Sequence, residues 1–202
     1  MKVGRGVSDM FFPVPAALVV SGIGNEANVM TVAWIGMMSS SPPTLGISVR
    51  QSRHSIGLIR KEGEFTVNIP SATYFKEVDY CGLVSGRDFD KFKEAGFTPV
   101  PGSEVGVPMI QECPYNIECR VTSETVLGDW VMFLGEIVET QVDADLIDSS
   151  GSIDVKELDP LVYCTTIREY WQLGTKLGDG FNAGKSLVRD RKHLYKKRST
   201  GV

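Results

Sequence analysis

The chain has 202 residues, 42% of them hydrophobic and 23% charged, with a formal net charge of −4 and a pI near 5.3. This composition excludes a disordered or fibrous polypeptide, and a chain of this size buries about 70% of its unfolded surface without disulfide or metal support. The acidic average argues against nucleic acid or an anionic membrane as a partner. No apolar run approaches the roughly 18 residues of a membrane span, and Met1-Lys2-Val3-Gly4-Arg5 lacks signal-peptide character, so a cytoplasmic location is expected.

Strand signals dominate. Ala17 to Val20, Val29 to Ile35, Leu45 to Arg50 and Glu64 to Ile69 are short, β-rich and bounded by Gly, Pro or Asn. In the last of these, Phe65, Val67 and Ile69 alternate with Thr66 and Asn68, which predicts one buried face. Helices are predicted over Ser52 to Lys61, capped by Ser52 or Ser55, and over Tyr74 to Tyr80 and Phe89 to Ala95, ended by Gly82 and Gly96. Pro99, Pro101, Pro108 and Pro114 mark an irregular excursion, after which strands resume at Tyr115 to Thr125. The run Trp130 to Thr140 begins apolar on both faces (Val131, Met132, Phe133, Leu134), as expected inside a barrel or at an interface. Leu161 to Thr166 and Glu169 to Leu173 complete the set. The pattern predicts a mainly β fold with short helices, one barrel with excursions.

The net charge is unevenly distributed. From Lys185 to the end, seven basic residues stand against Asp190, a net of +6, which leaves −10 for the rest of the chain. A basic terminal extension over 177–202 is therefore set apart from a domain over 1–176. A solvated extension, or one docked on an acidic surface such as Glu136 to Asp159 of a second copy, is the simplest reading, with nucleic acid or acidic lipid as the alternative. Cys81, Cys113, Cys119 and Cys164 lack metal-site spacing, and Cys119 and Cys164 read as small buried hydrophobes.

Several motifs fail on chemistry. Gly180 to Ser186 has three residues between its glycines where a phosphate loop needs four, and Asp179 stands where an anion would have to sit. Asp143, Asp145, Asp148 and Asp154 miss the calcium-loop spacing and its turn glycine. No nucleophile elbow or catalytic acid–base constellation is present. Asn28 to Phe92 is different. Hydroxyls, Arg50 and Arg53, and a helix start converge after a strand at Ser52-Arg53-His54-Ser55, as a phosphomonoester requires. Trp34 and the small residues around it suit the edge of a flat aromatic ligand. Taken singly, Trp34 reads as core, Arg50 as a surface charge and Ser55 as a cap; the ordered set points to a phosphorylated aromatic.

Asn28-x-x-Thr31-x-Ala33-Trp34, Val49-Arg50, Ser52-Arg53-x-Ser55 and Gly63-Glu64-Phe65-x-Val67-Asn68 resemble the flavin reductase-like, FMN-binding split-barrel family. Asp79-Tyr80-Cys81-Gly82 and Ser85-Gly86-Arg87-Asp88-x-Asp90-Lys91-Phe92 sharpen the resemblance to its flavoredoxin-like branch, over roughly residues 10 to 175. The resemblance implies a Greek-key split barrel, a homodimer and one non-covalent FMN per subunit near the dimer interface. It places Ser52, Arg53 and Ser55 at the phosphate, Lys91 at the phosphate or ring, and Thr31, Ala33 and Trp34 along the ring. Arg50 and Ser85 carry over more weakly. Trp130 and Tyr163 match positions where the branch sets an aromatic or a histidine near the flavin, and Trp130 is a departure where His also occurs. Cys81 has no resolving partner and reads as structural. The implied function is electron transfer, or reduction of flavin or metal with NAD(P)H as donor and a redox partner or small molecule as acceptor. A flavin-binding carrier or sensor without nicotinamide chemistry is the alternative.

Overall fold

The structure is a computed structural model that describes residues 1–189. In chain order its strands and helices are β1 (Val14–Pro15), β2 (Ala17–Ser21), β3 (Asn28–Val32), β4 (Ile35–Ser40), β5 (Pro43–Arg50), α1 (Ser55–Glu62), β6 (Glu64–Ile69), α2 (Phe75–Leu83) and α3 (Lys91–Ala95). They continue as β7 (Pro99–Val100), β8 (Met109–Ile110), β9 (Tyr115–Leu127), β10 (Trp130–Val142), α4 (Val155–Leu158), β11 (Val162–Cys164), β12 (Glu169–Trp171) and α5 (Lys185–Arg189). Seven strands form one antiparallel sheet in the order β3-β2-β6-β9-β10-β5-β4. The sheet curls into a mainly β, Greek-key split barrel.

The barrel interior is filled by alternate residues of the strands. Val19, Ile47, Phe65, Val67, Val131 and Phe133 belong to one buried cluster, and Ile56 and Ile59 of α1 close it from one end. Burying a large side chain of this kind contributes about 1.5–3 kcal/mol. Gly135 is the small residue this packing demands: a Cβ there would stand 2.6 Å from the Phe65 ring and 2.9 Å from Cys119. In β10, Val131 and Phe133 face in while Met132 and Leu134 are half-buried on the outer face, so the run that reads apolar on both sides is buried on only one within the single chain.

The alternation in β6 misleads for a different reason. Thr66 and Asn68 are as buried as Phe65 and Val67, because the proline-rich excursion lies over them. Thr66 donates to the Pro108 carbonyl at 2.8 Å, and Asn68 Oδ1 accepts from Ile110 N at 2.9 Å and Asn116 Nδ2 at 2.7 Å. Glu118 fixes the same excursion, accepting from the backbone of Ser103, Glu104 and Val105 at 2.8–3.0 Å, from Ser103 Oγ and from Gln141. Burial alone would raise this carboxyl; the donors outweigh it and hold it at about 2. A polar face read as solvated is thus a satisfied, buried one.

Other readings shift at their edges. β4 is not among the expected strands, which run from Val29 to Ile35 and resume at Leu45, yet Ile35 to Ser40 pair with β5. Gly82 lies inside the last turn of α2 rather than beyond it, packed 3.4 Å from Thr31 were it to carry a Cβ. Gly63 and Gly96 do end α1 and α3, at φ of +67° and +70° where glycine is favoured. Cys119 is buried as expected, whereas Cys164 is half-buried. Half of the basic extension, Asp190 to Val202, lies outside the described residues, as does its expected docking.

Candidate functional site

Two hairpins bring the aromatic residues together. β9 and β10 are joined by Gly128 and Asp129, with Gly128 at φ +57°, so Trp130 opens β10 directly opposite Arg50 at the end of β5. Trp34 lies between β3 and β4, and its carbonyl accepts from Ser48 N at 2.8 Å. Its ring therefore meets Trp130 at 5.2 Å, tilted 36°, while the Arg50 guanidinium lies 5.1 Å from the Trp130 centroid. This ladder of cation and two rings walls a cleft of about 360 Å³ that Thr31, Ala33, Arg53 and Tyr163 also line. Thr31 donates its hydroxyl proton to the Val78 carbonyl, so toward a ligand it can only accept.

A second cleft of about 610 Å³ adjoins the first and shares Arg50, Arg53 and Tyr163 with it. Its wall holds Ser52, Ser55, Ser85 and Lys91. All eleven residues singled out from the sequence thus line one or both of these clefts. The helix start differs from expectation: neither Ser52 nor Ser55 caps α1. His54 occupies the cap position without a side-chain bond, and the Ser55 hydroxyl instead accepts from Asn28 Nδ2 at 2.8 Å. The α1 N-terminus keeps its positive dipole end free of any capping side chain. The Ser55 proton is in turn left for a partner in the cleft.

The loop from Ser85 to Asp90 is drawn onto this floor. Arg87 donates to the Ser52 carbonyl at 3.2 Å, and a Cβ on Gly86 would fall 2.0 Å from Asn28 Oδ1, so only glycine fits there. Asp90 caps α3 by accepting from Lys93 N, which sets Lys91 at the helix start. Lys91 is 4% exposed, donates to the Cys81 carbonyl at 2.8 Å, and takes part in no ion pair among the described residues. Burial pushes its ammonium down to about 8, with the Arg53 charge adding to the effect and Cys81 opposing it. Burial likewise pushes the Cys81 thiol up to about 11, so it stays protonated at neutral pH, as a structural cysteine does.

Asn28, Arg87 and Arg168 also line these clefts, and the sequence assigns none of them a role there. Asn28 and Arg87 stood inside the motif strings without an assigned role; the signal was the glycine between Ser85 and Arg87, which marks a close backbone approach. Arg168 lies in the β11–β12 turn and lines both clefts. Nothing near it in the chain announces this.

An aromatic cleft thus runs into one lined by hydroxyls, cations and a bare helix N-terminus, chemistry that suits a flat ring with an anionic arm. The chain belongs to the flavin reductase-like family: the flavin reductase like domain matches residues 9–172. Flavoredoxin of Desulfovibrio vulgaris (Miyazaki F) superimposes with a TM-score of 0.87 at 34% identity, over 91% of this chain and 100% of that one. Flavoredoxin from Methanosarcina acetivorans does so with a TM-score of 0.82 at 33% identity, over 93% and 98%. The NADPH-flavin oxidoreductase of Streptomyces viridifaciens is 26% identical over 57% of this chain and 59% of its own. The function is accordingly flavin-related redox chemistry.

Proposed function

We propose that the protein binds FMN non-covalently and acts in electron transfer or as an NAD(P)H-dependent flavin or metal reductase. The observation that carries this reading is Lys91, a buried ammonium with one carbonyl partner and no carboxylate among the described residues. An uncompensated buried cation is unfavourable unless an anion completes the site. The bare α1 N-terminus, the Ser55 hydroxyl held by Asn28, and Arg53 on the same wall suit that anion being a phosphate.

When bound, FMN would supply the electron chemistry at its ring. The chain's own residues hold and shield it. Ser52, Arg53, Ser55, Ser85 and Lys91 take the phosphate end. Trp34 and Trp130 offer offset aromatic contact, with Arg50 keeping Trp130 in place, and Thr31, Ala33 and Tyr163 close the ring cleft. The similarity to flavoredoxins and to an NADPH-flavin oxidoreductase supports both roles.

A homodimer fits the outer face of β4, β5 and β10. Met37 and Met38 of β4 and Val126 and Leu127 at the end of the neighbouring β9 are exposed, and Met132 and Leu134 of β10 are half-buried, apolar residues that a second copy would cover. The four cysteines are free thiols, which supports a reducing, cytoplasmic setting. No helix among the described residues is long and apolar enough to cross a membrane. We read 1–176 as the flavin-binding domain and 177–202 as its extension. The experiment is anaerobic mixing of FMN-loaded protein with NADH and with NADPH. Rapid bleaching of the bound flavin supports a reductase; a flavin that stays oxidised with both supports a carrier or sensor instead.

A further inference from the structure

The β11–β12 hairpin reaches the flavin clefts from the far end of the chain. It pairs with β1, and Thr165 Oγ1 ties the start of its turn to the backbone of Phe11. Tyr163 and Tyr170 pack at 5.0 Å across it, and the Tyr170 hydroxyl donates to Asp79 on α2 at 3.1 Å. The hairpin is thus fixed to both the barrel and the helix layer. Its turn is not relaxed: Thr166 and Arg168 stand at φ of +68° and +59°, conformations that non-glycine residues adopt at a cost. Such strain persists where the surrounding structure over-determines it, and here its effect is to set Arg168 where the two clefts meet. The Arg168 guanidinium makes no hydrogen bond or ion pair among the described residues. Arg50 lies against Trp130 and Arg87 is bonded to the Ser52 carbonyl. Arg168, exposed in its turn, is therefore an uncommitted donor fork that lines the same cleft as Ser52 and Ser55.

We infer that Arg168 is a flavin-binding residue that closes the phosphate arm from the hairpin side and sets the preference for a phosphorylated flavin over riboflavin. The inference rests on the FMN reading above. A guanidinium and a phosphate form paired, charge-assisted hydrogen bonds, and riboflavin offers no such partner.

The test is fluorescence titration of FMN and of riboflavin into flavin-free wild type, Arg168→Ala, Arg168→Gly and Arg168→Lys. Arg168→Ala and Arg168→Gly should each weaken FMN by about tenfold while leaving riboflavin within about twofold, and Arg168→Lys should recover part of the loss. Glycine accepts the left-handed backbone, so a role confined to turn geometry predicts the reverse: Arg168→Gly binds like wild type while Arg168→Ala loses both ligands. That result, or unchanged FMN affinity in Arg168→Ala, overturns the assignment and leaves the FMN reading standing. Failure of the wild type to bind FMN removes both.

Discussion

Replacing Lys91 by methionine should make the flavin-free protein more stable and a poorer FMN binder. The ammonium is lowered from 10.5 to about 8 chiefly by burial, which corresponds to about 3 kcal/mol against keeping it charged at neutral pH. Losing its charge-assisted hydrogen bond to the Cys81 carbonyl returns about 1.5–3 kcal/mol of that. Methionine fills a similar volume, so the net gain is about 0–1.5 kcal/mol, or up to roughly 5 °C in Tm for a chain of this size. Above pH 8 the folded lysine has shed its proton while the unfolded one keeps it up to 10.5. The stability of the flavin-free wild type should therefore rise between pH 8 and 10.5, and Lys91→Met should flatten that rise. FMN affinity of the wild type should fall as pH passes 8, because the cation facing the phosphate is lost. At pH 7 the variant should bind FMN about 10- to 100-fold more weakly, the worth of a charge-assisted bond, with riboflavin little changed and the potential of bound FMN lowered. Thermal unfolding without flavin, paired with fluorescence titration, reads both effects. A variant that is less stable without flavin yet binds FMN unchanged would refute the reasoning.

Asn28→Ala should leave the Ser55 hydroxyl unoriented and weaken FMN by about tenfold without affecting riboflavin, as read by the same titration. Glu118→Gln should remove the carboxylate that pins the proline-rich excursion. The folded carboxyl sits at about 2 against an ordinary 4.5, so its contribution is full above pH 4.5 and lost as pH falls toward 2; the variant should show lower stability at pH 7 and a flatter acid-denaturation curve. Gly135→Ala should drive a methyl into the Phe65 ring and destabilise by about 1–3 kcal/mol in denaturant titration, with flavin affinity preserved.

Much of the candidate site is legible because its residues are close in sequence: Thr31 to Trp34, Arg50 to Ser55 and Ser85 to Lys91 each lie within one short strand-to-helix or loop segment, and the structure brings them to the same pair of clefts. Their chemistry also survives reading one residue at a time. Trp130 and Tyr163 were found through resemblance, and the β10–β5 register that sets Trp130 opposite Arg50 explains why that position carries an aromatic. What stayed hidden depends on distant packing. The polar residues of β6 look solvated until the excursion covers them, β4 shows no strand signal past Ile35 until β5 pairs with it, and Arg168 is joined to the clefts only by the hairpin that carries it. The Ser55 hydroxyl reads as a cap because local rules favour it, yet Asn28, 27 residues away, takes that oxygen.

The central claim is that the paired clefts hold a flavin by its phosphate. Titrating flavin-free protein with FMN and with riboflavin, under fluorescence and visible absorbance, tests it most directly. One FMN should bind per chain, with strong quenching beside Trp34 and Trp130 and more tightly than riboflavin by at least about tenfold. Equal affinity for the two flavins, or no quenching with either, would contradict it.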